Sequence, residues 1–178
     1  MSIDLFRSQD RSAAVRPRVF VSYHHKGDQW YYDTFSSLFH DSYETIYDNS
    51  LERVVESDNV DYVMRSIREN HISGTSCTVV LVGAATWGRK YVDWEIKATL
   101  DKNHGLIGVC LPTTSTSAGG GIMVPPRLND NILSKFALWV SWTDLTSSAA
   151  RLGGYIAEAR SRNTQLINNA RERRLRNA

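Results

Sequence analysis

Six consecutive residues, Cys77 to Val82 (CTVVLV), run without polar alternation, which is the pattern of a strand buried on both faces rather than one with a wet side. Such a strand sits in the middle of a parallel sheet, so helices must cover both of its sides. Gly83 and Gly88 then bracket a short turn, after which Val92, Ile96, Thr99 and Leu100 fall on one stripe of a helix, with Tyr91, Glu95 and Ala98 on its flank. Glu95 therefore stands in about the second helical turn, close to the carboxyl end of the strand, where open parallel sheets place their ligand crevice. Its neighbours there are Trp87, Tyr91 and Trp94. A carboxylate in that setting is the leading candidate for a functional side chain. The plainer alternative is an exposed helix carboxylate paired with Lys102 or Arg89.

The rest of the chain repeats the alternation. Arg18 to Tyr23 (RVFVSY) reads as a first strand, and Gly27 and Asp28 mark a turn and a helix N-cap. Tyr31, Phe35, Leu38 and Phe39 recur at helical spacing, predicting a helix over 29–40. Thr45 to Tyr47 is a short strand, followed by the polar loop Asp48-Asn49-Ser50. Ser57 or Asp58 can cap a second helix lined by Val60, Val63, Met64, Ile67 and His71, and Gly74 stops it. Gly105 reads as a helix C-cap, Leu106 to Leu111 as a buried strand, and Ala137 to Trp142 as the last strand. A closing helix opened by Asp144 or Thr146 buries Leu152 and Ile156. The order predicts a flavodoxin-like α/β fold, a mainly parallel five-stranded sheet with helices on both faces. Pro112 to Asn131, rich in Ser, Thr, Gly and Pro, reads as one long irregular loop.

With 178 residues the chain suits one domain, over 17–160, between a flexible lead-in at 1–16 and a basic helix or tail at 161–178. The net charge of +2 is too small to make nucleic acid the main partner, and the arginines after Arg160 lack interleaved aromatic residues, so that end is expected to fray as a solvated tail. No apolar run approaches the length of a membrane helix, and the first fifteen residues lack the apolar core of a signal peptide, which predicts a cytoplasmic protein. Cys77 and Cys110 each lie in an apolar run and read as reduced core thiols.

Three motifs need weighing. Gly83 to Lys90 (GAATWGRK) nearly spells a phosphate-binding Walker A loop, but Arg89 separates Gly88 from Lys90, and Tyr91 replaces the Ser or Thr that would hold Mg²⁺. Backbone amides at the helix start can still favour an anion there. Gly119-Gly120-Gly121 does not open a helix after a strand and reads as a flexible loop. The five histidines show no metal-binding spacing, so no metal is expected. His24, directly after the first strand, shares the sheet edge with Glu95 and reads either as a site residue or as an ordinary turn residue.

Arg18-Val-Phe-Val-Ser-Tyr-His24 resembles the opening strand of TIR-type domains. Thr75 to Gly83, Thr86-Trp87 and Tyr91-Val-Asp-Trp-Glu-Ile96 resemble more narrowly the TIR-like proteins of the bacterial Thoeris anti-phage system, the ThsB type. The resemblance implies a response to a phage-derived trigger and the use of NAD as substrate, not as cofactor. The products would be nicotinamide and a cyclic ADP-ribose isomer, a diffusible messenger that activates a partner effector protein. It implies that Glu95 is catalytic and that Phe20, Ser22, Tyr23, His24 and Asp48 line the pocket. Gly83, Trp87 and Tyr91 are further substrate-binding candidates, and Trp87 or Tyr91 could stack on the nicotinamide or adenine ring. Self-association is left open, and neither membrane nor nucleic acid is implied. The alternative is a non-catalytic TIR-type module that assembles a defence or signalling complex through its helices and the Pro112 to Asn131 loop.

Overall fold

A computed structural model describes residues 17–46 and 60–178. Five parallel strands, β1 (Arg18–Ser22), β2 (Glu44–Ile46), β3 (Cys77–Val82), β4 (Gly105–Cys110) and β5 (Leu138–Ser141), form one sheet in the order β2-β1-β3-β4-β5. This is the flavodoxin-like order expected from the alternation. All six residues of β3 are buried, as their lack of alternation requires.

Side chains of alternate parity divide the sheet between two layers. Val19, Val21 and Tyr23, with Cys77, Val79 and Leu81, pack under α1 (His25–Phe39) and under α6 (Ala149–Ser161). Phe20 faces the other way, onto α2 (Val60–Ser66), its wider-wound π-helical continuation Ile67–Ile72, and Trp94 and Ala98 of α3 (Lys90–Asp101). Val80 and Val82 face α3 and α4 (Pro126–Leu133) on that same side. The Thr78 and Thr99 hydroxyls share a hydrogen bond of 2.7 Å, which satisfies both inside the apolar layer. A short helix, α5 (Trp142–Leu145), joins β5 to α6.

Several boundaries differ from the sequence expectation for identifiable reasons. The first helix begins at His25, because its carbonyl-side turn is closed by the Asp28 N–H bonding His24 O at 2.8 Å; Asp28 is thus inside the first turn and not the cap. Gly105 opens β4, and the left-handed residue after α3 is Asn103, with φ 56°. The segment expected to be irregular through Asn131 ends in α4, whose Pro126 occupies the first turn, where a missing N–H costs nothing. Ser148, not Asp144 or Thr146, caps α6, accepting from the Arg151 N–H at 3.1 Å. The caps proposed at Ser57 and Asp58 lie outside the described residues.

The arginine-rich end departs furthest from expectation. Beyond a turn at Thr164–Leu166 the chain is extended, and it bonds to α3 and α4 instead of fraying. Both cysteines are free; burial pushes the Cys77 thiol up to about 12, so it stays protonated in the core.

Candidate active site

The carboxyl ends of β1 and β3 and the second turn of α3 meet at one sheet edge. Ser22 is the last residue of β1 and pairs in register with Val80, so its side chain faces α3. There the Ser22 hydroxyl donates to Glu95 Oε2 at 2.5 Å, and both groups are almost fully buried. The bond ties one carboxyl oxygen to the end of β1. Glu95 is 5 % exposed. It is therefore not the exposed helix carboxylate of the plainer reading.

The loop beside this pair is braced by a second carboxylate. Asp28 is 2 % exposed and accepts from the Thr86 hydroxyl at 2.8 Å, while Thr86 Oγ1 accepts from the Gly83 N–H at 2.8 Å. One chain of bonds thereby joins the start of α1 to the turn after β3. Burial raises the Asp28 pKa, against the lowering effects of the Thr86 bond, the His24 backbone and the nearby Arg89 charge. Gly83 is required by this contact, since a Cβ at that position would lie 1.9 Å from Asp28 Oδ1. Gly83→Ala should therefore cost about 1–3 kcal/mol, read as a lowered thermal midpoint; a variant melting with wild type would show that Asp28 can step aside freely.

The candidates from sequence are not all brought together. Ser22 and Glu95 touch, and His24, nearly buried, follows Ser22 on the same edge. Phe20 does not line the site: it has no exposed surface and fills the apolar layer against Val63, Met64 and Ile67. Tyr23 does not either, because the strand's alternation turns it to the opposite face, where its ring stacks on Tyr32 at 4.8 Å and its hydroxyl donates to Gln29 Oε1 at 3.0 Å. Gly83 gives its N–H to Thr86, so its contribution is close approach rather than ligand bonding. Trp87, in the turn Thr86–Gly88, and Tyr91, in the first turn of α3, are half-buried. The Arg174 guanidinium lies 5.9 Å from the Trp87 ring, and Tyr91 meets Trp94 edge-on at 5.6 Å. Asp48 lies outside the described residues.

Sequence reasoning passed over Asp93. Nearly buried on the first turn of α3, it takes Arg127 Nε at 2.9 Å on one oxygen, and Arg127 Nη2 at 3.3 Å with the Arg174 N–H at 2.9 Å on the other. Arg127 has no exposed surface; it also donates to Asn169 Oδ1 at 2.8 Å and Glu172 O at 3.0 Å. The available signal was the helical spacing of Arg127, Leu128 and Asn131, three buried positions in a segment read as loop.

Among the described residues no helix is long and apolar enough to cross a membrane. A search of curated proteins finds no match. A family model described as "Thoeris protein ThsB, TIR-like domain" matches residues 20–116, from β1 through α3 and β4.

Proposed function

The chain belongs to the Thoeris ThsB family of TIR-like domain proteins, and from that premise we propose that it is an NAD-consuming enzyme of phage defence, with Glu95 as its catalytic carboxylate. On infection it cleaves NAD to nicotinamide and a cyclic ADP-ribose isomer, which activates a partner effector. The observation that carries this reading is the buried Glu95 carboxylate held by Ser22 at the carboxyl edge of a parallel sheet.

The chemistry asked of that carboxylate is modest. The bond between the ribose and the nicotinamide nitrogen breaks with its electron pair going to the pyridinium ring, which becomes neutral and leaves. The sugar carbon acquires oxocarbenium character. A fixed anion nearby stabilises that charge and can hold the ribose hydroxyls, without the second acid of ordinary glycosidases, because the leaving group needs no proton. A nucleophilic atom of the same molecule then closes the ring with loss of its proton. Stacking of Trp87, in the turn before α3, or of Tyr91, in its first turn, on a substrate ring would exclude water and favour closure over hydrolysis. His24 borders the same edge.

A second reading, a non-catalytic interaction module, draws on exposed Trp30 and Leu38, eight residues apart on one outward stripe of α1. Mass spectrometry of filtered lysates from phage-infected cells separates the two. Released nicotinamide and an ADP-ribose isomer should appear in cells expressing the wild-type chain. Protected cells containing neither product would move the assignment to the interaction module.

A further inference from the structure

The helix that carries Glu95 begins without a local cap. Arg89 stands at the N-cap position and its side chain bonds nothing in the first turn, although a helix start leaves several N–H groups without intrahelical partners. The cap comes from the far end of the chain: Asn177 Oδ1 accepts the Lys90 N–H at 2.9 Å. One residue on, the Ala178 N–H donates to Gly88 O at 2.9 Å.

Asn177 ends a series of such contacts. The peptide groups of Arg174 grip two adjacent residues of α3, its N–H donating to Asp93 Oδ2 at 2.9 Å and its carbonyl accepting from Trp94 Nε1 at 2.8 Å. Further back, Asn169 Nδ2 donates to Asp101 Oδ1 at 2.8 Å. The segment thus runs antiparallel to α3, from its last residue to the turn before its first. Its other side is pinned to α4. Asn131 Nδ2 donates to Asn168 O at 2.8 Å and Asn131 Oδ1 accepts the Asn168 N–H at 2.9 Å, a reciprocal pair that mimics a strand contact. A cleft of about 360 Å³ lined by Asp93, Pro126, Arg171, Glu172 and Arg174 remains between the segment and the two helices. All of this lies beyond the residues matched by the family model, apart from α3 itself.

We propose that residues 168–178 are a strap that positions Glu95, with Asn177 acting as the distant N-cap of α3. The inference rests on Glu95 being the catalytic carboxylate. Asp93 and Trp94 directly precede Glu95, so the strap fixes the backbone on which the carboxylate is carried, while Ser22 fixes its oxygen. Loss of the cap loosens the first turn and lets the carboxylate wander from the reacting carbon, and a displacement on the order of 1 Å is enough to slow a positioned reaction. Strap residues touch neither substrate nor reacting atoms; they act through the helix.

The test uses the full chain as wild type, Asn177→Ala and Asn177→Asp. Asn177 is exposed, so both variants should fold. Asn177→Ala should speed hydrogen exchange of the amides of Lys90 to Trp94 roughly fivefold, the size of a lost cap, and lower kcat for NAD cleavage by a similar factor with KM little changed. Asn177→Asp should restore both, because its carboxylate accepts the same N–H and suits a helix N-terminus. Unchanged exchange in Asn177→Ala overturns the cap, and faster exchange with wild-type kcat overturns the positioning role. A wild-type chain that never turns over NAD, while exchange responds as expected, defeats the NAD reading and leaves the strap's hold on α3 standing.

Discussion

Replacing Glu95 by Gln is expected to reduce NAD cleavage by roughly three orders of magnitude, or about 4 kcal/mol of transition-state stabilisation, while the protein remains at least as stable as wild type. The two halves of this prediction have one cause. Gln keeps the shape and still offers an oxygen to the Ser22 hydroxyl, so the packing around residue 95 is preserved. What it lacks is the negative charge, and that charge matters most when the ribose carbon becomes positive. The same charge is a burden to the folded state, since a carboxylate with 5 % exposure has given up most of its hydration. Active-site groups of this kind commonly lower stability while serving chemistry. Thermal melts and nicotinamide release on matched preparations check both halves. A Glu95→Gln protein that melts normally and still releases nicotinamide at the wild-type rate would remove the catalytic assignment, whereas one that releases none and still protects its culture would favour the interaction module.

What could be read from the sequence follows from the range of the interactions involved. β3 and the apolar stripe of α3 were legible because burial on both faces and helical spacing each repeat within a few residues; Glu95 could be placed at the sheet edge from those alone. The residue motifs also pointed to the family that the match over 20–116 establishes. The division of β1 was less legible. Its alternation separates Tyr23 from Ser22, but nothing local says which face α3 covers, and nothing local says that Phe20, on the same face as Ser22, is sealed in the apolar layer below the edge. Asp28 carried a local signal, a turn, that pointed to the wrong role: its carboxylate meets Thr86 across 58 positions of chain. The strap was illegible for a stronger reason. Its contacts to the helices include hydrogen bonds of side-chain amides and peptide groups spaced irregularly along Asn168, Asn169, Arg174 and Asn177, and each joins residues far apart in sequence. No periodic pattern records such contacts, and a run of arginines resembles a solvated tail unless the buried partner is known.

That buried partner is Arg127, and Arg127→Met is expected to destabilise the protein by about 3–5 kcal/mol, enough to lower the thermal midpoint of a domain this size by roughly 10 °C. The loss would not measure the attraction of the pair itself. It would measure what is left behind: Asp93, 4 % exposed, would keep a carboxylate with the Arg174 N–H but without its countercharge, and Asn169 Oδ1 and Glu172 O would lose their donor. Arg127→Lys should recover little, because an ammonium cannot reproduce a planar fork that reaches both Asp93 oxygens and two strap acceptors at once. Adding Asp93→Asn to Arg127→Met should return part of the stability by removing the stranded charge, so the two changes together would cost less than their sum. The strap contacts made by Arg127 would still be absent from the double variant. Its hydrogen exchange over residues 168–178 should therefore stay fast even where the melting temperature recovers, which separates the electrostatic share of the clasp from its share in holding the strap. An Arg127→Met protein melting within a degree or so of wild type would show that the buried pair is not what ties this end of the chain to the helix bearing Glu95.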